Sequence, residues 1–77
     1  MSHYEFIQRV KNCLLEENPA VDAATLLNDL DGWDSLGRLS LVVMLHDDFA
    51  LSVDTKTLRS CEKIADLVDL VRNRLEN

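Results

Sequence analysis

Ser35-Leu36-Gly37-Arg38-Leu39-Ser40-Leu41-Val42-Val43-Met44-Leu45-His46-Asp47-Asp48-Phe49 holds more apolar residues than one buried face requires. At about 100° per residue, Leu41, Val42, Leu45 and Phe49 share one side of a helix, and that side is enough to join a core. Leu36, Leu39 and Val43 make a second apolar stripe, and Met44 adds to the excess. A helix built this way is either buried on two sides or leaves one side open for docking. Residues 35–49 are therefore read as the second helix of an all-α chain.

Outward from this helix, residues 3–17 are predicted as the first helix. Ser2-His3-Tyr4-Glu5 fits a capping box, in which the serine and the glutamate three residues on satisfy each other's backbone N–H. Ile7, Val10 and Leu14 form one stripe, with Phe6 and Cys13 beside it. Asn18-Pro19 is expected to end the helix, because proline disfavours helical geometry in the residue before it. Residues 18–34 form a long connection whose Val21, Leu26, Leu27 and Leu30 are expected to pack on the domain. Loops of this length in small domains are often functional. Residues 54–59 read as one short helical turn. Ser60 is placed to cap a last helix over 61–75, with Ile64, Leu67, Val68, Val71 and Leu75 at helical spacing. Few β-branched alternating stretches exist, so the expected fold is all-α, with four helices and a short third one.

The chain has 77 residues, which suits a single domain over 1–77 with a modest core. Its 47% hydrophobic and 29% charged residues mark a globular chain. Fourteen acids against eight lysines and arginines give a net charge of −6. That balance argues against nucleic-acid binding, which needs a basic footprint, and suits basic partner surfaces. The longest apolar run, Leu41 to Leu45, is too short to span a membrane. Met1-Ser2-His3-Tyr4-Glu5 lacks the basic start of a signal peptide, so a cytoplasmic chain is expected. Cys13 and Cys61 have neither metal nor redox spacing and read as reduced thiols at packed positions.

Chemistry concentrates in Asp31-Gly32-Trp33-Asp34-Ser35-Leu36-Gly37, where both glycines of the chain occur. Ser35 stands where the connection meets the second helix. A serine there can cap the helix. It can also carry a phosphate ester, which the free amides and positive partial charge of a helix start would favour. A hydrolase nucleophile elbow needs Gly-x-Ser-x-Gly after a strand; here the spacing is Gly-x-x-Ser-x-Gly and no strand is expected. His46 lies eleven residues along the same helix, roughly 16 Å away by helical rise, so a general base is missing. Asp29, Asp31 and Asp34 do not make a calcium loop. Counted from Asp29, Asp34 falls where glycine is needed and Ser40 where glutamate is needed. No metal ligands are assigned.

Asp34-Ser35-Leu36, after a long loop and before an amphipathic helix ending in Asp47-Asp48-Phe49, resembles the acyl and peptidyl carrier proteins. The resemblance covers nearly the whole chain, including its acidity, the helix order and the final Ile64-Ala65-Asp66-Leu67-Val68 stretch. It implies a four-helix bundle and a 4′-phosphopantetheine attached to Ser35. It implies that a phosphopantetheinyl transferase, with magnesium bound by that enzyme, moves the group from coenzyme A. The terminal thiol would then carry an acyl or aminoacyl group as a thioester, and the carrier itself would not be an enzyme. Asp34 and Leu36 would flank the attachment site. Trp33, Leu36, Arg38, Leu39, Val43, Asp47 and Asp48 would meet the transferase and the loading and processing enzymes. Affinity for these partners is expected to be modest, because cargo must be passed on, and the chain is expected to be a monomer.

Some residues depart from the carriers of fatty-acid synthesis, which have a dense acidic run along the second helix. Here Gly37, Arg38 and Ser40 occupy the early turns, His46 replaces an acid, and Trp33 stands where a small residue is common. These differences imply a specialised pathway. By angle, Arg38 falls near the core-facing side, so its stem is expected along apolar surface with its charge in water. Trp33 either packs the loop down or contacts partners. The alternative from another class is a cofactor-free helical interaction module, in which Ser35 only caps the helix and the second stripe is a constitutive interface.

Overall fold

The computed structural model describes residues 1–75. Helix α1 runs His3–Cys13. Ser2 Oγ accepts from the Glu5 amide at 3.1 Å, and Glu5 Oε1 accepts from the Ser2 amide at 3.4 Å, which closes the expected capping box. Phe6, Val10 and Leu14 are buried; Ile7 and Cys13 are partly so. The helix stops well before the expected residue 17, and Pro19 is not the cause. Leu15 turns left-handed at φ 56°, so the Leu15 amide reaches Asn12 O at 3.2 Å and the Glu16 amide reaches Lys11 O at 2.8 Å. That pair of bonds satisfies the last carbonyls at a position usually given to glycine.

The segment from Leu14 to Asp34 contains one 3₁₀ turn, Leu27–Asp29. Asn18 and Asp22 hold its bends by accepting from the amides of Ala20 and Ala24, at 2.9 and 3.0 Å. Val21, Leu27 and Leu30 are buried as expected, whereas Leu26 is exposed. Backbone bonds fasten the segment to the chain near residue 63: the Leu27 amide to Glu62 O at 2.8 Å, and the Ile64 amide to Thr25 O at 3.1 Å. Leu26 and Lys63 thereby form an isolated antiparallel bridge.

Helix α2, Ser35–Phe49, has the bounds expected from the sequence and ends where Ala50 adopts φ 53°. Leu41, Met44 and Leu45 are buried, and Val42 and Phe49 pack partly against the core. The Phe49 ring meets Phe6 edge-on, with centroids 5.6 Å apart. Helix α3 is Thr55–Arg59, capped by Asp54, whose Oδ1 accepts from the Thr57 amide at 2.8 Å. Ser60 does not start the last helix. Its hydroxyl donates back to Thr57 O at 2.6 Å and closes α3. Helix α4 is therefore shorter than expected, Ile64–Val71, followed by a 3₁₀ turn at Arg72–Arg74. Asp66 secures its start by accepting from the Glu62 and Lys63 amides at 2.8 and 3.0 Å.

The structure is all-α: four α-helices and no strand among the described residues. Helix α1 packs against α2 and α4, and α3 packs against α2. Buried side chains from every helix and from the long connection form one cluster, which includes Phe6, Leu27, Leu41, Leu58, Ile64 and Val71. No helix among the described residues is long and apolar enough to cross a membrane.

Candidate functional site

Two glycines set the backbone around Ser35. Both have ordinary negative φ, so their role is space rather than conformational freedom. A Cβ on Gly32 would overlap the Leu14 carbonyl oxygen at the end of α1. A Cβ on Gly37 would overlap the Gly32 carbonyl oxygen and come within 2.9 Å of Leu14 Cδ2. The end of α1, the loop before α2 and the first turn of α2 are thus stacked with nothing between them. Hydrogen bonds from the Trp33 amide to Leu30 O, 3.0 Å, and from the Asp34 amide to Gly32 O, 2.9 Å, complete the turn.

Asp34, not Ser35, caps α2. Its Oδ1 accepts from the Gly37 amide at 2.8 Å, and its carbonyl accepts the first helical bond, from the Arg38 amide at 2.9 Å. Ser35 is therefore the first helical residue. Its side chain is exposed, and among the described residues its hydroxyl enters no hydrogen bond. Of the two roles the sequence leaves open for Ser35, the cap falls to Asp34: a carboxylate one residue earlier takes the amide, which leaves the hydroxyl uncommitted.

Ser35 lines a recess of about 130 Å³ together with Arg38, Thr55 and Arg59, so the site joins α2 to α3. Arg38 is half-buried, as its angle implied. Its Nη1 donates to Trp33 O at 3.4 Å, and its guanidinium carbon lies 5.5 Å from the centre of the Trp33 ring. Trp33 itself packs partly against the core, so it does hold the loop down. Arg59 is exposed and forms no ion pair among the described residues. Thr55 and Arg59 escaped the sequence reading. They lie some twenty residues from Ser35, and no local pattern links them to it.

The second apolar stripe of α2 is open. Leu36 is 74% exposed, and Leu39 and Val43 are each 52% exposed, which rules out burial of α2 on both sides. Leu36 edges a groove between the end of α1 and the start of α2, with Cys13, Leu14 and Ser40. Val43 and Asp47 border a separate groove with Val42, His46 and Val53. The two acids at the end of α2 differ in state. Asp48 is bound to Arg9 of α1 at 2.8 Å, so its charge is already partnered. Asp47 stays exposed beside His46 Nδ1, at 3.5 Å. Both thiols are free and half-buried; burial first, then nearby carboxylates, pushes their titration above the ordinary thiol range. No cluster of three metal-ligating side chains exists among the described residues.

No family model, curated protein or solved structure matches the chain. The site stands on its own geometry.

Proposed function

We propose that this chain is a carrier of acyl or aminoacyl groups, a four-helix bundle whose long first loop presents Ser35 for attachment of 4′-phosphopantetheine. The observation that carries the reading is the uncommitted Ser35 hydroxyl at the first position of α2, exposed because Asp34 has taken the cap. The surroundings fit the group. An ester phosphate at Ser35 would lie at the helix start, beside a recess that two arginines line. When bound, the group supplies a thiol on a flexible arm, where cargo is held as a thioester.

The chain's own residues then have separate tasks. Ser35 Oγ forms a bond to the phosphorus of coenzyme A that bears the pantetheine arm. The bond from that phosphorus to the oxygen bridging it to adenosine 3′,5′-bisphosphate breaks, the bisphosphate leaves, and the hydroxyl proton passes to a base of a phosphopantetheinyl transferase. Asp34 keeps the first turn of α2 in place throughout. Leu36, Leu39 and Val43 offer an apolar strip to the transferase and to the enzymes that load and process cargo. Asp47 adds an exposed acid, and the net charge of −6 speeds encounters with basic partners. Arg38 among the early turns of α2, where fatty-acid carriers are acidic, and Trp33 in place of a small residue favour a specialised biosynthetic pathway. The protein acts as a cytoplasmic monomer, without nucleic acid or membrane insertion, and is not itself an enzyme.

The exposed strip on α2 also favours a second reading, a cofactor-free interaction module that uses the same three side chains. Incubation with coenzyme A, magnesium and a broad-specificity transferase separates the two. The carrier gains one phosphopantetheine adduct that Ser35→Ala does not; the module gains none and forms a lasting complex instead.

A further inference from the structure

The recess beside Ser35 has a composition that the rest of the chain does not suggest. Acids outnumber lysines and arginines by fourteen to eight, yet the four lining residues are two arginines, a threonine and Ser35. Asp34, next to Ser35 in the chain, accepts from the Gly37 amide, and Asp54, next to Thr55, accepts from the Thr57 amide, each at 2.8 Å; Asp54 also feels the charge of Arg59 without pairing with it. Two arginines from different helices therefore line one hollow that no acidic residue lines. Like charges placed together cost free energy unless an anion sits between them.

Neither arginine is used up. Arg38 spends one of its five donors on Trp33 O, and the Trp33 ring fixes its direction. Arg59 has no hydrogen bond or ion pair among the described residues. The recess, about 130 Å³, has room for one tetrahedral anion. Arginine is the side chain suited to such an anion, because its planar fork can offer two parallel N–H donors to phosphate oxygens.

We propose that Arg38 and Arg59 form a clamp for the phosphodiester on Ser35, which draws the base of the attached arm into the hollow between α2 and α3. This rests on the carrier reading and gives it a local consequence: the arm leaves the protein from a fixed root. Loading then ties the first turn of α2 to α3, and through the Arg38–Trp33 stack it also tightens the loop before α2.

The test compares the arginine Nε–H signals of the unloaded and loaded protein by ¹⁵N NMR, with loading verified by intact mass. The clamp predicts that the Arg38 and Arg59 signals shift on loading and that their exchange with water slows several-fold. Arg9, already paired with Asp48, serves as the internal control and stays unchanged. The ³¹P signal of the ester should also differ between loaded wild type and loaded Arg59→Gln, with Arg59→Lys intermediate because it keeps charge but not the fork. A loaded protein whose Arg38 and Arg59 signals match the unloaded one, or a ³¹P signal indifferent to Arg59→Gln, overturns the clamp and leaves the carrier reading intact. A folded wild-type chain that accepts no adduct overturns both.

Discussion

Replacing Gly37 by alanine tests the geometry that positions Ser35. On helix propensity alone the change should stabilise, since alanine exceeds glycine by about 1 kcal/mol in a helix interior. The structure reverses the sign. The new methyl group would overlap the Gly32 carbonyl oxygen and press on Leu14 Cδ2 at 2.9 Å. The first obstacle is backbone, held by the hydrogen bond from the Asp34 amide to that same oxygen at 2.9 Å, so it cannot swing aside as a side chain would. Relief needs a movement of roughly 1 Å or more between α2 and the loop. Overpacking of this kind costs about 1–3 kcal/mol, and a backbone obstacle belongs at the upper end. Net of the propensity gain, Gly37→Ala should destabilise by about 1–2 kcal/mol. A 77-residue domain has only about 4–12 kcal/mol in total. Urea unfolding followed by circular dichroism would read the change as a lower midpoint at constant slope. A variant as stable as wild type, or more so, would refute the close stacking of α1, loop and α2.

Three further outcomes follow from the same details. Asp34→Ala should lose about 0.5–2 kcal/mol by removing the helix cap, whereas Ser35→Ala should stay within about 0.5 kcal/mol; the opposite order in urea melts would return the cap to Ser35. Leu15→Gly should stabilise by up to about 1 kcal/mol, because Leu15 holds φ 56° while its side chain is 88% exposed; a lower thermal midpoint would count against the left-handed end of α1. Asp54 and Asp66 are held below the ordinary carboxylate range, by the Thr57 amide and by the Glu62 and Lys63 amides respectively. A depressed folded-state value means that their contribution is present above the unfolded value, about 4, and is lost as pH falls through the folded one. Asp66→Asn should therefore flatten the acid limb of the stability profile, and an unchanged limb would contradict that hydrogen bonding.

Legibility in the sequence followed the range of the interactions. Helix α2 was legible from end to end because its start and its apolar angles are local properties. The end of α1 was not, because leucine at a left-handed position leaves no sign in composition. The start of α4 was misread because Cys61, Glu62 and Lys63 looked helical, yet Glu62 and Lys63 are engaged by the distant Thr25–Leu27 stretch. The same distinction divides the site. The two glycines marked Ser35's surroundings as special, and spacing placed Leu36, Leu39 and Val43 together. Choosing Asp34 over Ser35 as the cap depended on a one-residue difference in where the helix begins, and both residue types cap well. Thr55 and Arg59 reach Ser35 only through the packing of α3 on α2, so no local reading could bring them to the site.

The central claim is that Ser35 is an attachment point, and intact mass tests it most directly. Wild type and Ser35→Ala are incubated side by side with coenzyme A, magnesium and a broad-specificity phosphopantetheinyl transferase, after a first spectrum confirms that nothing is already attached. One phosphopantetheine adduct is expected on wild type and none on the variant. A folded wild-type chain that gains no adduct, or a variant that gains one, would contradict the claim.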